Sequence, residues 1–236
     1  MPAGLTKAAI VRAALDLLDD AGMDGLTVRA LASRLGVQAP ALYWHVRSKQ
    51  ALLDEMATLI WRQIGEVMAG LPGDLAWREV MATYAATVRN ALLGHRDGAK
   101  AFSGTTLTDP DVVRLQEVTL ANLTRQGFTL QDAVRALLLL HDFTIGFCVE
   151  EQAVVQAIAS GDERYSLARR AEMIGTQAAP LAVEAGQVTF GDPGTRFAEL
   201  TGLLLDTIAR LRRPAPGRPR APAYQSAQPA ERDPAR

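Results

Sequence analysis

The side chains best suited to catalysis or metal binding fall in one apolar stretch, at His141, Asp142, Glu150 and Glu151. Histidine and carboxylates can act as general acid and base, or as metal ligands, when they meet on one face. On a helix, the ten residues from His141 to Glu151 place these two side chains about 80° apart around the axis and about 15 Å apart along it, too far to share a site. The chain has no Glu-x-x-His or His-Glu-x-x-His spacing, no glycine-rich phosphate loop and no nucleophile elbow. We therefore expect no enzyme, no metal and no other cofactor, and we interpret Glu150-Glu151 as a solvated or interface pair.

A second distinctive group is the crowd of polar-tipped aromatic and basic side chains at Tyr43, Trp44, His45 and Lys49. Tyrosine, histidine and lysine donate hydrogen bonds to phosphate oxygens, and Arg29 can reach a phosphate or a guanine edge. This group indicates a surface that contacts nucleic acid. The alternative is that Tyr43 and Trp44 only fill a contact between domains.

Two short helices joined by a tight turn are expected to position these side chains. Thr27 is a suitable N-cap, and apolar residues recur at helical spacing through 28–35. Gly36 can end this helix in a left-handed conformation, and Pro40 suits the first turn of the next helix. A short exposed helix of this kind fits the major groove of DNA, so the segment is predicted to be a helix-turn-helix.

Composition and charge are compatible with this prediction. A chain of 236 residues is long enough to bury a core, and 48% of its residues are hydrophobic. The formal net charge of −1 does not exclude DNA binding, because the basic residues of the first 50 positions bracket the helix-turn-helix. The single cysteine, Cys148, suits a reducing compartment, and its apolar surroundings predict a buried, inert thiol. No apolar run approaches the roughly 20 residues of a membrane span, so we expect a cytoplasmic protein without membrane contact.

Helical patterns follow one another along the chain without a useful strand pattern, which predicts an all-α fold. A first helix capped by Thr6 completes an N-terminal three-helix domain, the helix-turn-helix domain, at 1–48. A larger C-terminal helical domain for ligand binding and dimerisation is predicted at 49–212, with Asp74 opening its second helix. Residues 213–236, rich in proline, arginine and alanine, are predicted to be a disordered tail.

Two long helices in the second domain, at 129–160 and 195–211, are apolar around most of their circumference. Thr129 and Asp132 resemble a capping box at the start of the first. A helix that is apolar on all sides must be buried on all sides, and one subunit of this size has too little surface to cover both helices. A two-fold homodimer is the economical solution. The segment between the two helices is more polar and is expected to be a helix with loose ends.

The segment at 26–49 resembles the DNA-binding domain of the tetracycline-repressor (TetR) family, and LYWHV followed by SKQALLD is similar to tetracycline repressors in particular. Further blocks in the same order resemble the ligand-binding core of that family, namely ALLGHRDGAK, RQGFTLQDA and FTIGFCVEEQ. The resemblance covers roughly residues 5–211. It implies a homodimeric repressor that binds a palindromic double-stranded DNA operator, with half-sites about 34 Å apart.

The pattern and the resemblance together define the residues expected to contact DNA. They are Thr27, Arg29, Gln38, Ala39, Pro40, Ala41, Tyr43, Trp44, His45 and Lys49. Ala39 and Ala41 stand where the family's repressors carry a glutamine and a threonine that contact bases. A related docking on a different operator sequence is therefore expected.

The resemblance also implies an effector cavity in the larger domain. Phe102 stands where tetracycline repressors carry a histidine that ligates the magnesium ion of the drug complex, whereas Thr105 matches the family. An aromatic carbon ring cannot ligate magnesium, so we expect an apolar or aromatic small molecule in place of magnesium-tetracycline. The expected lining residues are Trp61, Tyr84, Val88, Phe102, Thr105, Leu115, Val118, His141 and Phe147. Each of these residues also suits an ordinary core position.

These observations predict a transcriptional repressor whose affinity for its operator falls when a small hydrophobic effector binds. Two alternatives remain open: a small-molecule-binding helical dimer that has lost specific DNA reading, and a helical scaffold protein. Selection of an operator would exclude both, and ligand binding without an operator would favour the first.

Overall fold

A computed structural model describes residues 5–212, and within that range the chain forms twelve α-helices and two short 3-10 turns, with no β-strand. This confirms the predicted all-α fold. Within the same range, no helix combines the length and the apolar character that crossing a membrane would require. The predicted tail at 213–236 lies outside the described residues.

Three helices form the N-terminal head: α1 (Lys7–Gly25), α2 (Val28–Leu35) and α3 (Ala39–Tyr43). The hydroxyl of Thr6 accepts a hydrogen bond from the Ala9 N–H at 3.2 Å and caps α1, as predicted. Apolar side chains from all three helices meet in a small core, in which Ile10, Leu31 and Leu42 are fully buried. A unit of this size buries too little surface to be very stable alone, so its packing on the next helix is important.

That next helix, α4 (Lys49–Ala69), leads from the head into the rest of the protein. Ser48 caps it by accepting a hydrogen bond from the Ala51 N–H at 3.0 Å. The buried side chains Leu52, Met56 and Ile60 belong to a cluster that extends without interruption from the head into the larger domain. Because the packing is continuous, a displacement of α4 must also displace the head.

The larger domain is built from α5 (Trp77–Leu93), α6 (Gly98–Phe102), α7 (Pro110–Arg114), α8 (Gln116–Arg125), α9 (Leu130–Ala159), α10 (Leu167–Ile174), α11 (Pro180–Thr189) and α12 (Pro193–Ile208). Its central contact is the packing of α5 along α9. The prediction that Asp74 opens α5 is wrong. The helix begins later, at Trp77, where the Glu79 carboxylate accepts a hydrogen bond from the Ala76 N–H at 3.3 Å.

Thr129 caps α9 as predicted, because its hydroxyl accepts a hydrogen bond from the Asp132 N–H at 3.1 Å. The reciprocal half of the predicted capping box is not formed, since the Asp132 carboxylate accepts a hydrogen bond from the Thr129 hydroxyl at 2.7 Å and not from the Thr129 N–H. Both α9 and α12 leave apolar side chains uncovered in the single subunit. The most exposed of these include Val155 at 53%, Ile158 at 59% and Leu203 at 64%. Such faces are typical of an interface with a second subunit.

The interpretation of Glu150-Glu151 as a solvated or interface pair is wrong for Glu151, which is only 6% exposed. Its carboxylate accepts a hydrogen bond from Arg89 Nε at 2.8 Å, and this bond raises the pKa of Arg89. The Arg89 guanidinium also lies over the ring of Phe197, 5.2 Å from its centroid. The ion pair therefore joins α5, α9 and α12 inside the subunit, where removing one partner would leave a buried charge unpaired.

Candidate functional site

The turn between α2 and α3 has the geometry of a helix-turn-helix. The Thr27 hydroxyl accepts a hydrogen bond from the Ala30 N–H at 3.1 Å and caps α2. Gly36 ends α2 in the left-handed region, with φ 65° and ψ 30°, where a side chain would be strained. The Val37 N–H then bonds to the Ala32 carbonyl at 3.0 Å and closes the turn.

The outer side of α3 is an exposed surface rich in aromatic and polar groups. Trp44 is 89% exposed and Tyr43 is 51% exposed, although both are large enough to be useful in a core. Gln38 precedes α3 and makes no capping hydrogen bond with its side chain, so its amide is available to a partner. Pro40 and His45 are also exposed, whereas Ala39 and Ala41 are half-buried.

Basic side chains surround this surface, and several are already engaged. Lys7 pairs with Glu55 at 2.7 Å, and Arg34 pairs with Asp20. Arg29 is exposed and forms no ion pair with any other residue in the described range. Lys49 donates a hydrogen bond to the carbonyl of Met23 at 3.0 Å, which leaves two of its three N–H groups for other partners.

A polar joint, formed by Asp19, Met23, His95, Arg96 and Asp97, connects the end of α1 to the turn before α6. The Asp19 carboxylate lies 3.0 Å from His95 Nδ1 and accepts a hydrogen bond from the Arg96 N–H at 3.1 Å. The Asp97 carboxylate accepts a hydrogen bond from the Met23 N–H at 2.9 Å. The head is thus attached to the larger domain at the polar joint as well as through α4.

The larger domain contains a partly open cavity of about 270 Å³ between α4, α5, α7, α8 and α9. The wall from α4 includes Trp61, Ile64, Gly65 and Met68, which recur at helical spacing. Gly65 allows a close approach, because a Cβ there would lie 2.9 Å from the Cβ of Leu115 across the gap. The helix that leaves the head therefore forms one side of the cavity.

Three aromatic side chains meet at one end of this cavity. The Tyr84 hydroxyl lies 3.0 Å from Nδ1 of His141, and the rings of Trp61 and His141 are 5.1 Å apart at an angle of 36°. Burial raises the pKa of Tyr84 and lowers the pKa of His141, with Asp142 acting in the opposite direction on the histidine. Both side chains are therefore neutral at pH 7, the phenol protonated and the imidazole uncharged.

An adjoining cleft of about 480 Å³ shares Trp61, Leu107 and His141 with the first cavity. Phe102 and Thr105 line this second space. The Thr105 hydroxyl donates a hydrogen bond to the Phe102 carbonyl at 2.8 Å, which is a local turn contact.

The nine candidate lining residues are thus divided by the fold. Trp61, Tyr84, Leu115 and His141 line the first cavity, and Phe102 and Thr105 line the adjoining cleft. The other three lie elsewhere: Val88 is fully buried in the core, Val118 is 43% exposed, and Phe147 packs on Phe143 and Phe197. Phe147 is six residues after His141, and this separation places it on a different face of α9.

Sequence reasoning missed Thr119, which lines the cavity from α8. Its side chain is 7% exposed and makes no hydrogen bond within the described range. A signal was present, because Leu115 and Thr119 are four residues apart and share a helical face.

An exposed helix-turn-helix, joined through one helix to a helical domain with a cavity, defines a DNA-binding regulator controlled by a small molecule. Residues 10–56 match the profile of the bacterial regulatory proteins of the tetR family, and residues 69–211 match that of the tetracyclin repressor-like C-terminal domain. The class C tetracycline repressor protein of Escherichia coli is 35% identical over 209 residues, which span 88% of this chain and 92% of that protein.

Solved structures give the same result. A possible TetR family transcriptional regulator from Streptomyces coelicolor A3(2) superposes with a TM-score of 0.77 and 37% identity, covering 88% of this chain and all (100%) of the other. TetR(class A) in complex with 5a,6-anhydrotetracycline and magnesium superposes with a TM-score of 0.66 and 33% identity, covering 89% and 100%. The chain therefore belongs to the TetR family of transcriptional regulators, which confirms the predicted class: a DNA-binding, ligand-responsive repressor and not an enzyme.

The side chains of the cavity do not fit the magnesium ion of the class A complex. Within residues 5–212, no three side chains of histidine, cysteine, aspartate or glutamate come together as ion ligands would. Magnesium prefers oxygen ligands in octahedral geometry, but the lining of the first cavity has no carboxylate, and the adjoining cleft has one, that of Asp142, with the carbon ring of Phe102. His141 already places Nδ1 beside the Tyr84 hydroxyl.

Proposed function

We propose that this regulator binds a palindromic operator as a homodimer and releases it when a small hydrophobic effector fills the cavity bounded by α4. The observation that carries the proposal is the position of α4, which begins beside the DNA-reading surface and ends as a wall of the cavity. The domain limits follow from it, with a head at 1–48 and an effector and dimerisation domain at 49–212. We propose that the protein acts in the cytoplasm, where bacterial operator DNA is found.

At the DNA end, α3 enters the major groove and the first residues of the helix lie nearest to the base edges. Gln38, with its unengaged amide, is the best placed side chain to read a base. Tyr43, Trp44, His45 and Lys49 are suited to the phosphate backbone, which positions the protein. Small side chains at Ala39 and Ala41 leave room for a direct approach of the helix to the groove.

At the effector end, a ligand that separates α4 from α8 would shift α4 and, through continuous packing, the head. A differential affinity of about 1–3 kcal/mol between the two arrangements is sufficient for a 5- to 150-fold change in operator affinity. In a two-fold dimer, the same shift in both subunits would change the distance between the two heads. This distance would then no longer match the spacing of the two half-sites.

Selection of binding sites tests the DNA-reading part of the proposal directly. We expect gel-shift selection from a library of palindromes at moderate salt to yield one related set of sequences. Failure to enrich any sequence would contradict the proposal, and the alternative of a dimer without specific DNA reading would then be favoured if a ligand still bound.

A pair of lysine variants tests the phosphate contacts. Lys49→Ala should weaken binding to all sequences and lower the slope of log affinity against log salt concentration by about one. Lys100→Ala is the matched control, because Lys100 is an exposed lysine on α6 outside the DNA-reading surface. A changed base preference in Lys49→Ala would contradict the assigned role.

A further inference from the structure

We infer that the cavity bounded by α4 binds an uncharged, flat aromatic ketone without a metal ion, and that His141 donates a hydrogen bond to the ketone oxygen. The inference rests on the proposed function, because it assigns the chemical class of the effector to the same cavity.

The lining of the cavity carries no ionised group. Among the described residues that form its wall, none is Asp, Glu, Lys or Arg. An ion in this cavity would lose part of its hydration without gaining an oppositely charged partner from the lining, and that loss is costly. The ligand must therefore be uncharged when it enters.

The hydrogen-bond donor is identified by the contact between Tyr84 and His141. An imidazole nitrogen is a better acceptor than a phenol oxygen, so the Tyr84 hydroxyl donates to Nδ1 across the 3.0 Å separation. A neutral imidazole then carries its proton on Nε2, and that N–H has no partner in the described range. Both residues line the cavity, and His141 also lines the adjoining cleft, so its free N–H is available to an acceptor on a ligand in this space. Burial lowers the pKa of His141 and keeps this tautomer uncharged.

The shape of the ligand follows from the rings and from a second polar anchor. Trp61 and His141 form an aromatic wall, and flat aromatic molecules pack well on such rings. On the α8 side, Thr119 lines the cavity, its hydroxyl makes no hydrogen bond within the described range, and the oxygen is not among the fully buried atoms that lack a partner. A hydroxyl that remains accessible in this way can form a hydrogen bond with a polar ring atom of the ligand.

Xanthone and xanthene are suitable probes, because both are uncharged tricyclic ethers and they differ only in the carbonyl group. Isothermal titration of the full-length protein should show that xanthone binds roughly tenfold more tightly than xanthene, the effect of one hydrogen bond to a buried donor. The result should be the same with magnesium chloride and with EDTA. Equal affinities for the two probes, or no binding of either, would overturn the inference. A magnesium requirement for xanthone, or magnesium-dependent binding of tetracycline in the same cavity, would also overturn it.

The variant His141→Phe keeps a ring in place and removes the donor. It should bind xanthene about as well as the wild type and lose the preference for xanthone; a retained preference would refute the role of His141. Thermal unfolding and xanthene binding of the same variant show that the cavity is still formed. Release of the selected operator is measured separately, by gel shift. A ligand that binds but does not release the operator would refute the proposed control of DNA binding and leave the ligand assignment intact.

Discussion

The protonation states of Tyr84 and His141 follow from their burial in the wall of the cavity. The two groups are hydrogen-bonded to each other, and each is held in its neutral form by burial. In water the imidazole would gain a proton near pH 6.5, and the cavity would then contain a cation beside its apolar walls. Keeping the group neutral is what allows it to act as a selective hydrogen-bond donor rather than as a charge.

The lowered pKa of His141 makes part of the stability depend on pH. Below about pH 6.5 the unfolded chain binds this proton more readily than the folded chain does. The contribution of His141 is therefore fully present above pH 6.5 and is lost as the pH falls through the folded pKa. We expect the free energy of unfolding in urea to fall more steeply between pH 7.5 and 5 in the wild type than in His141→Phe.

The comparison of these two proteins isolates one residue, because every other side chain is the same in both. The loss of the Tyr84 contact in the variant should add an offset that does not vary with pH in this range. If plots of the free energy of unfolding against pH were parallel for the wild type and the variant, burial would not lower the pKa of His141.

At the scale of the helices, the polar joint of α1 with the turn before α6 depends on two unusual backbone positions. Gly22 interrupts α1 with φ 70°, and a Cβ there would lie 2.7 Å from the Asp97 carboxylate. Asp97 has φ 57°, the only positive value for a residue other than glycine in the described range. Aspartate tolerates this region better than most residues, and here its carboxylate also holds both Met23 and Gln156.

Substitution of Asp97 should weaken the transmission of movement from the larger domain to the head. Asp97→Ala removes both hydrogen bonds and adds strain at the positive φ, so we expect the free energy of unfolding to fall by about 1–3 kcal/mol. Effector binding should persist, whereas its effect on operator affinity should shrink, because the polar joint then keeps only the contacts of Asp19 and Arg96. Gel shifts with and without effector measure this coupling.

The matched control is Asp97→Asn, since asparagine also tolerates a positive φ and keeps one oxygen acceptor for the Met23 N–H. It should retain most of the coupling. If Asp97→Ala retained the full coupling, the polar joint would not take part in transmission.

Local features of these helices were predictable, and contacts between distant segments were not. Thr27 and Gly36 mark the ends of α2 because capping depends on a few neighbouring residues. The bond from the Met23 N–H to Asp97 joins residues 74 positions apart, and no local pattern indicates it. Likewise α9 is apolar around its circumference, so its sequence could not show that His141 faces the cavity and Phe147 faces Phe197.

At the scale of the whole molecule, the reading of a palindrome requires that two heads be held in a fixed relation. Isolated heads would bind half-sites independently, and their combined affinity depends on the link between them. The uncovered apolar residues of α9 and α12, with Ile158 and Leu203 among the most exposed, are the best candidates for this link. The inner faces of the same helices form the core with α5, so the interface and the effector cavity share a framework.

Leu203→Glu tests this arrangement on the exposed face of α12. A carboxylate buried against a second subunit without a partner costs several kcal/mol, so we expect the variant to sediment as a monomer at micromolar concentration. Val67→Glu is the control, because Val67 is a comparably exposed apolar residue on α4, with 50% of its surface accessible. The control should remain dimeric, and both variants should keep their helical content.

The monomeric variant should bind a full palindrome no better than a half-site, because the advantage of the palindrome comes from joining two heads and not from either head alone. A Leu203→Glu protein that still sedimented with the wild type would place the interface on another surface.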